Sequence, residues 1–181
     1  MATIDGISKV LVCEEELKEI CKNLGKQISK DYEGKNLLLV SVLKGAIVFM
    51  ADLLKEITCD CKIDFMAVSS YSGTKTTGVV KFKKDLDVNP EGHDILVVED
   101  ILDSGITLSY LKKILEDRNC NSVKICTLLD KPANRKADIK ADYVGKVVPD
   151  EFVVGYGLDY NEYYRNLPFV GVLSREVYEN N

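Results

Sequence analysis

The chain has 181 residues, 46% of them hydrophobic, and a formal net charge of −5 at pH 7. This length is typical of one domain, which buries roughly 70% of the surface that the unfolded chain exposes. The acidic balance disfavours a nucleic-acid-binding protein, because such binding depends on clustered Lys and Arg side chains. The longest apolar stretch, 37–54, contains Lys44 and Asp52, so neither a membrane span nor a membrane anchor is predicted.

Strand-like and helix-like segments alternate through most of the chain, which predicts an α/β fold with a mainly parallel, twisted sheet flanked by helices. The N-terminus has neither a basic start nor an apolar core, so we expect no secretory signal and a cytoplasmic protein. Six scattered cysteines are then expected to be reduced. The apolar patterns predict strands at 10–13, 37–43, 63–69, 95–99 and 123–129, a hairpin partner strand at 79–83, and helices at 14–30, 46–57 and from about 108.

The C-terminal third breaks this alternation. It holds a Tyr-rich loop and three short apolar runs, at 143–148, 152–155 and 169–173. We therefore expect a single domain over 1–181, with a core at about 37–130 and a small hood formed by about 1–12 and 143–181. The hood should lie over the carboxyl edge of the sheet, where open α/β folds bind their ligands.

One run combines a buried strand end, three carboxylates and a small polar turn: Val97-Val98-Glu99-Asp100-Ile101-Leu102-Asp103-Ser104-Gly105-Ile106-Thr107-Leu108. Asp, Ser and Thr favour helix caps and Gly allows close backbone approach, so the turn should open a helix whose free N–H groups face an anion such as phosphate. Glu99, Asp100 and Asp103 disfavour one another's ionisation unless a cation or ligand hydroxyls intervene, and magnesium prefers such oxygen ligands. The alternative is that Asp103 caps the helix and the other two are solvated acids at the strand end.

Two further loops have the composition of a ligand site. Leu43-Lys44-Gly45 places a cation and a flexible residue between a strand and a helix, although a simple turn with a solvated Lys would have the same sequence pattern. The segment 69–78 is long, small and polar, which is typical of a mobile lid over a site. An ordinary hairpin loop is the alternative for that segment.

The run from Val97 to Leu108 closely resembles the phosphoribosyl pyrophosphate motif of the type I phosphoribosyltransferases. In that motif two apolar residues, two acids and two more apolar residues precede an Asp-Ser/Thr-Gly-x-Thr turn. The motif alone leaves open adenine, orotate, uracil or 6-oxopurine as the base, and it admits non-catalytic regulators that share the fold. Leu128-Leu129-Asp130-Lys131-Pro132 and the aromatic segment 150–168 resemble the 6-oxopurine branch, the hypoxanthine-guanine phosphoribosyltransferases, in a short bacterial-type form. The match extends over 37–173.

The resemblance implies the type I phosphoribosyltransferase fold and a purine salvage reaction with magnesium. The 5-phosphoribosyl group would pass from phosphoribosyl pyrophosphate to N9 of hypoxanthine or guanine, giving IMP or GMP and pyrophosphate. Asp103 would be the general acid/base at the purine N7, and Glu99, Asp100 and Asp159 would hold Mg²⁺. The implied partners are these substrates and further copies of the chain, as a homodimer or homotetramer, with no nucleic acid and no membrane. Preference among hypoxanthine, guanine and xanthine stays open.

The resemblance also implies a set of substrate contacts. Ser104, Gly105, Ile106 and Thr107 would bind the 5′-phosphate chiefly through backbone N–H groups, so Ile106, where some relatives have Lys, should matter little. Lys44 and Gly45 would form the pyrophosphate loop, in which the peptide before the Lys is often cis. Taken alone, Phe152-Val153-Val154 would be interpreted as a core strand. The remaining implied contacts are Ser70 and Tyr71 in the lid, Glu99 and Asp100 on the ribose hydroxyls, Lys131 on the purine O6, Phe152 stacked on the ring, Val153 bonding the base through its backbone, and Arg165 on the pyrophosphate, with Arg135 as a further contact.

Overall fold

The computed structural model of the chain describes residues 6–70 and 80–179. In chain order its elements are β1 (Ile7–Val12), α1 (Glu14–Asp31), β2 (Leu37–Leu43), α2 (Ile47–Glu56), β3 (Cys61–Ser70), β4 (Val80–Lys84), β5 (Asp94–Leu102), α3 (Ile106–Glu116), β6 (Ser122–Asp130), a 3-10 turn (Pro132–Asn134), β7 (Tyr143–Val147), β8 (Val153–Val154), β9 (Val170–Leu173) and α4 (Arg175–Glu179). None of the helices in these ranges is long and apolar enough to cross a membrane.

Six strands form the main sheet, in the order β4-β3-β2-β5-β6-β7. All neighbours pair in parallel except β4, which returns antiparallel to β3. The central strands are buried on both faces, as their apolar runs require: Ile95, Leu96, Val97 and Val98 expose no area. The predicted mainly parallel sheet is therefore confirmed.

Helices cover both faces of this sheet. Alternate residues of β2 point to opposite faces, so Leu37 and Leu39 pack in the cluster that includes α1 and α2, whereas Leu38 and Val40 pack in the cluster that includes α3. In α1 the buried residues recur at a spacing of three or four, which is why this segment forms a helix against the sheet. The predicted bounds of α1, 14–30, agree with the observed ones to within one residue.

A second, three-stranded antiparallel sheet forms the hood, in the order β1-β9-β8. The two ends of the chain meet there, with Ile7 opposite Leu173. The expectation that the hood starts at residue 143 was wrong, because β7 pairs in parallel with β6 and extends the main sheet. Tyr143 is 3% exposed and its hydroxyl donates to Asp31, so this segment packs against α1 as part of the core.

The strand β5 is longer than predicted, reaching Leu102 instead of residue 99. Glu99 and Asp100 therefore lie within the sheet and not beyond its edge. Since β2, β5 and β6 are parallel, their carboxyl ends lie along one edge, and the loops that follow them converge beneath the hood.

Candidate active site

Close backbone packing joins three segments at this edge. A Cβ at Gly45 would lie 1.8 Å from Oδ2 of Asp100, and one at Gly157 would lie 2.0 Å from the carbonyl oxygen of Gly45. Gly157 also has a φ of +101°, a conformation that L side chains rarely adopt. Glycine at both positions lets the loop after β2 lie between β5 and the hood, so Gly45 lies against the side chain of Asp100.

Glu99 and Asp100 are adjacent acids near the end of β5, of which Asp100 is buried and Glu99 is half-buried. Oε2 of Glu99 has no hydrogen-bond partner among the described residues, and Asp100 is 8% exposed. Burial raises the pKa of Glu99 well above its ordinary value, with the charge of Asp100 adding to the effect. Burial also raises the pKa of Asp100 to about 6, against the opposing N–H of Ile101, which donates to Oδ1 at 2.7 Å. The alternative of solvated strand-end acids is therefore wrong.

Asp103 lies in the turn after β5 and reaches two polar neighbours. Its Oδ1 accepts a hydrogen bond from Nδ2 of Asn134 at 2.9 Å, and its Oδ2 lies 3.3 Å from Nζ of Lys131. The N-cap residue of α3 is Gly105, with a φ of +76°, and no side-chain hydrogen bond caps the helix. The helix-cap interpretation of Asp103 is therefore wrong, and its carboxylate is directed to the loop after β6.

The turn and the start of α3 line a cavity of about 160 Å³. Ser104, Gly105 and Thr107 lie on its wall together with Glu99 and Asp103. Because no side chain caps α3, its first N–H groups are available to an anion, and the helix dipole favours negative charge there. The side chain of Ile106 is 46% exposed, consistent with a turn that presents its backbone to the ligand.

Lys131 is the cation beside Asp103. It is 8% exposed, and its Nζ also lies 3.2 Å from Oδ1 of Asp150. Its position directly after β6 places the ammonium group at the same sheet edge as the phosphate-type turn. Lys131 and Asp103 therefore present a donor and an acid side by side.

An aromatic face lies in the hood. The ring of Phe152 is 40% exposed, stacks on Tyr178 with centroids 5.2 Å apart, and meets the edge of Tyr160 at 5.7 Å. Val153 is buried and pairs with Val172 in the hood sheet. The core-strand interpretation therefore holds for Val153 but is wrong for Phe152, and Tyr178, in the unpredicted helix α4, was missed by the sequence.

A network of charges connects the loop after β2 to the hood. Arg165 pairs with Oδ1 of Asp159 at 2.8 Å and donates to the carbonyl oxygen of Gly157. Lys44, which follows a cis peptide bond, pairs with Glu162 at 2.9 Å, and Arg165 lies 3.3 Å from the same carboxylate. Hydrogen bonds from these two cations hold the pKa of Glu162 below its ordinary value, and the bond from Lys44 has the larger effect. Glu162 was missed by the sequence, although it lies between the two predicted residues Asp159 and Arg165.

The predicted metal ligands do not form a closed cluster. In the ranges that the structure describes, no three His, Cys, Asp or Glu side chains come together as a group that could hold a metal ion. Asp159 is instead paired with Arg165. The residues still fit magnesium, because Mg²⁺ usually takes one or two carboxylates and completes its shell with substrate oxygens and water, and Glu99 offers an unpartnered oxygen.

Three further residues were predicted to contact the substrates: Ser70, Tyr71 and Arg135. Tyr71 lies outside the described residues, and of Ser70 only the backbone is described, as the last residue of β3 paired with Val80. Arg135 makes its observed contacts with the protein itself. Its guanidinium donates to the carbonyl oxygens of Leu102, Asp103 and Ile139 and to the Asp130 carboxylate, so it braces the two loops.

The chain is similar to known proteins over nearly its whole length. The family model described as "Phosphoribosyl transferase domain" matches residues 13–161. A hypoxanthine-guanine phosphoribosyltransferase of Staphylococcus aureus (strain Mu50) is 55% identical over 177 residues, which cover 97% of this chain and 99% of that protein. The "Bifunctional protein TilS/HprT" of Listeria monocytogenes (strain F2365) is 57% identical over 96% of this chain and 27% of its own length. A crystal structure of a hypoxanthine phosphoribosyltransferase from S. aureus, 55% identical, superposes with a TM-score of 0.93 over 96% of this chain and 95% of that one.

Proposed function

The chain belongs to the phosphoribosyl transferase family, and on this premise we propose that it is a purine salvage enzyme. It transfers the 5-phosphoribosyl group from phosphoribosyl pyrophosphate to N9 of hypoxanthine or guanine, producing IMP or GMP and pyrophosphate. The observation that carries the proposal is the pair of Asp103 Oδ2 and Lys131 Nζ, 3.3 Å apart, beside an uncapped helix N-terminus. An acid, a donor and an anion site are thus adjacent at one sheet edge.

The protein binds the purine by hydrogen bonds to the edge of the ring and by stacking on its face. Lys131 donates to O6, and Asp103 meets N7, the next polar atom on the same edge of the ring. Phe152 stacks on the face, and the backbone of Val153 bonds the far side of the base. Aromatic stacking combined with a few directed polar groups is the usual way to bind a flat, largely apolar ligand.

The phosphoribosyl group is held at the acid pair and the turn. Residues 104–107 bind the 5′-phosphate through backbone N–H groups and hydroxyls, as helix N-termini do. Glu99 and Asp100 accept hydrogen bonds from the ribose hydroxyls and, with Asp159, hold magnesium. The chemistry that magnesium supplies when bound is neutralisation of charge on the diphosphate. The raised pKa values of these two carboxylates support this assignment, because each is stabilised by a cation or a hydroxyl donor.

The pyrophosphate is bound by the cations of the charge network. Lys44 and Arg165 leave Glu162 and Asp159 to contact its oxygens, with the planar donors of Arg165 suited to two of them at once. Gly45 lies in the same loop as Lys44, and its backbone N–H donates to the same pyrophosphate. This exchange replaces two ion pairs, of which the exposed Lys44–Glu162 pair contributes little stability, with contacts to a multiply charged ligand.

The reaction needs no covalent intermediate. The N9 electron pair of the base forms the bond to C1′, and the bond from C1′ to the pyrophosphate oxygen breaks with its electron pair leaving on pyrophosphate. The proton on N7 passes to Oδ2 of Asp103, which keeps the ring from accumulating positive charge. Proton transfer of this kind typically contributes about 10²–10⁴-fold to a rate, and the remainder comes from orientation and charge neutralisation.

The lid, the location and the assembly are part of the same proposal. Ser70 and Tyr71 close over the site, because an oxocarbenium-like centre at C1′ must be shielded from bulk water. The enzyme is a single-domain cytoplasmic protein that forms a homodimer or homotetramer, binds neither nucleic acid nor membrane, and acts on free bases. The resemblance supports these assignments, and light scattering coupled to gel filtration measures the assembly directly.

A pyrophosphate-release assay tests the function. The purified protein is mixed with phosphoribosyl pyrophosphate, magnesium and, separately, hypoxanthine, guanine, xanthine and adenine. We expect release with hypoxanthine or guanine and identification of IMP or GMP by chromatography. Release with adenine alone, or with none of the four bases, would contradict the proposal.

A further inference from the structure

Asn134 is a polar residue beside the reaction centre to which the resemblance gives no role. It ends the 3-10 turn that follows Lys131, and its Nδ2 donates to Oδ1 of Asp103 at 2.9 Å. The side chain is half-buried. Of the two oxygens of Asp103, one is therefore occupied by Asn134 and the other faces Lys131 at 3.3 Å.

The backbone around Asn134 is fixed relative to Asp103. The N–H of Lys131 donates to the carbonyl oxygen of Leu102 at 3.0 Å, and the N–H of Lys136 donates to that of Ser104 at 2.9 Å. Between them, Nε of Arg135 donates to the carbonyl oxygen of Asp103 itself at 2.8 Å. The last residue of β5, Leu102, and the two residues that follow it are thus bound to the loop that carries Asn134. These contacts fix the position of the Asn134 amide relative to the Asp103 carboxylate.

We propose that Asn134 is a positioning residue, whose amide holds Oδ1 of Asp103 so that Oδ2 faces the purine N7 beside Lys131. The inference rests on the proposed function. The χ2 angle of an Asp side chain is broad, so a carboxylate without this contact would rotate and present either oxygen in varied directions. With Oδ1 held, the proton from N7 arrives at Oδ2 while Asn134 keeps donating to Oδ1. Protonation of Asp103 therefore does not break its hydrogen bond with Asn134. General base catalysis depends on such placement within hydrogen-bond reach.

Two substitutions separate this role from simple space filling. Asn134→Ala removes the amide, and Asn134→Asp keeps the shape but replaces the donor with an anion that repels Asp103. We expect kcat for hypoxanthine to fall about tenfold in the Ala variant, the lower end for a hydrogen bond to a charged group, and further in the Asp variant. KM for phosphoribosyl pyrophosphate should change less than twofold in both. A space-filling role predicts the opposite order, with Asp close to the parent and Ala worse.

Asn121 provides a matched control. Its Nδ2 donates to a backbone carbonyl oxygen, that of Gly92 at 2.9 Å, instead of a carboxylate, and it lies at the amino end of β6, away from the site. Asn121→Ala and Asn121→Asp should leave kcat within twofold of the parent. Thermal unfolding of all four variants checks that each is folded under assay conditions.

A double-mutant cycle with Asp103→Asn shows whether Asn134 acts through Asp103. If it does, Asn134→Ala lowers kcat about tenfold in the parent but less than twofold in the Asp103→Asn background. An equal loss in both backgrounds, or an Asn134→Asp variant as active as the parent, overturns the inference. These results are distinct from failure of the proposed function, in which the parent protein itself forms no IMP or GMP.

Discussion

Asp100→Asn should stabilise the substrate-free protein while damaging its activity. Burial raises the pKa of Asp100 from its ordinary value of 3.8 to about 6. At about 1.4 kcal/mol per pH unit, the difference corresponds to about 3 kcal/mol. Asn fits the same space, and its side-chain oxygen can accept the bond that the N–H of Ile101 now donates at 2.7 Å. Loss of the charge also relieves Glu99, whose pKa the charge of Asp100 helps to raise.

The pH dependence follows from the direction of the shift. Between about pH 4 and 6 the folded protein binds a proton at Asp100 more tightly than the unfolded chain, so folding stability falls as the pH rises through this range. Above pH 7 the full destabilisation by the buried carboxylate is present, and near pH 4 it is absent. The gain from Asp100→Asn should therefore be about 3 kcal/mol at pH 7.5 and close to zero near pH 4.

Urea denaturation without magnesium or phosphoribosyl pyrophosphate measures this gain, at pH 7.5 and near pH 4. The exposed Asp60 serves as the control, because Asp60→Asn removes the same charge without burial and should change the free energy of unfolding by less than about 0.5 kcal/mol. An Asp100→Asn variant that is no more stable than the parent at pH 7.5, or equally stabilised at both pH values, would refute the reasoning. Activity at pH 7.5 should fall despite the gain, since Asp100 is proposed to hold ribose and magnesium.

Three further changes probe the site. Asp103→Asn should lower kcat by about 10²–10⁴-fold and leave KM for phosphoribosyl pyrophosphate nearly unchanged; equal losses in kcat and in binding would indicate a binding role. Gly45→Ala should abolish most activity, because the new Cβ would lie 1.8 Å from Oδ2 of Asp100, and a crystal structure in which neither the loop nor the Asp100 carboxylate has moved would contradict this. Phe152→Leu should raise KM for hypoxanthine about tenfold with KM for phosphoribosyl pyrophosphate unchanged, whereas Tyr163→Leu, at a ring that is 73% exposed, should alter neither.

The strands of the main sheet that are buried along their whole length were predicted best from the sequence. The strand β2 was predicted with its observed bounds, because an unbroken apolar run between polar loops has few other interpretations. The strand β7 was assigned to the hood because its burial is mixed: Val144 and Val147 are exposed while Tyr143 is not. Its place in the main sheet depends on parallel pairing with β6, a non-local contact that no local pattern encodes.

Some residues of the candidate site could be predicted from the sequence and others could not. The carboxylates on β5 and the turn before α3 were predicted because they are contiguous in sequence, and the structure places Glu99 and the turn around one cavity. Asn134, Asp150 and Tyr178 could not be predicted, because each reaches the site from an element whose position depends on distant packing. For Asn134 the cause is specific: Arg135 binds the carbonyl oxygens of Leu102 and Asp103, and so brings its neighbour onto the carboxylate.

The charges of the site fall into two groups. In the hood and the loop after β2, the cations Lys44 and Arg165 are already paired with Glu162 and Asp159. In β5 the acids Glu99 and Asp100 have raised pKa values, Asp100 is buried, and the buried Oε2 of Glu99 has no partner among the described residues. A ligand that brings only anionic charge would bind the cations of the first group, and a cation alone would bind the acids of the second group. A diphosphate carrying magnesium and attached to a hydroxylated sugar satisfies both at once, which is why this constellation favours phosphoribosyl pyrophosphate over free phosphate or a free sugar.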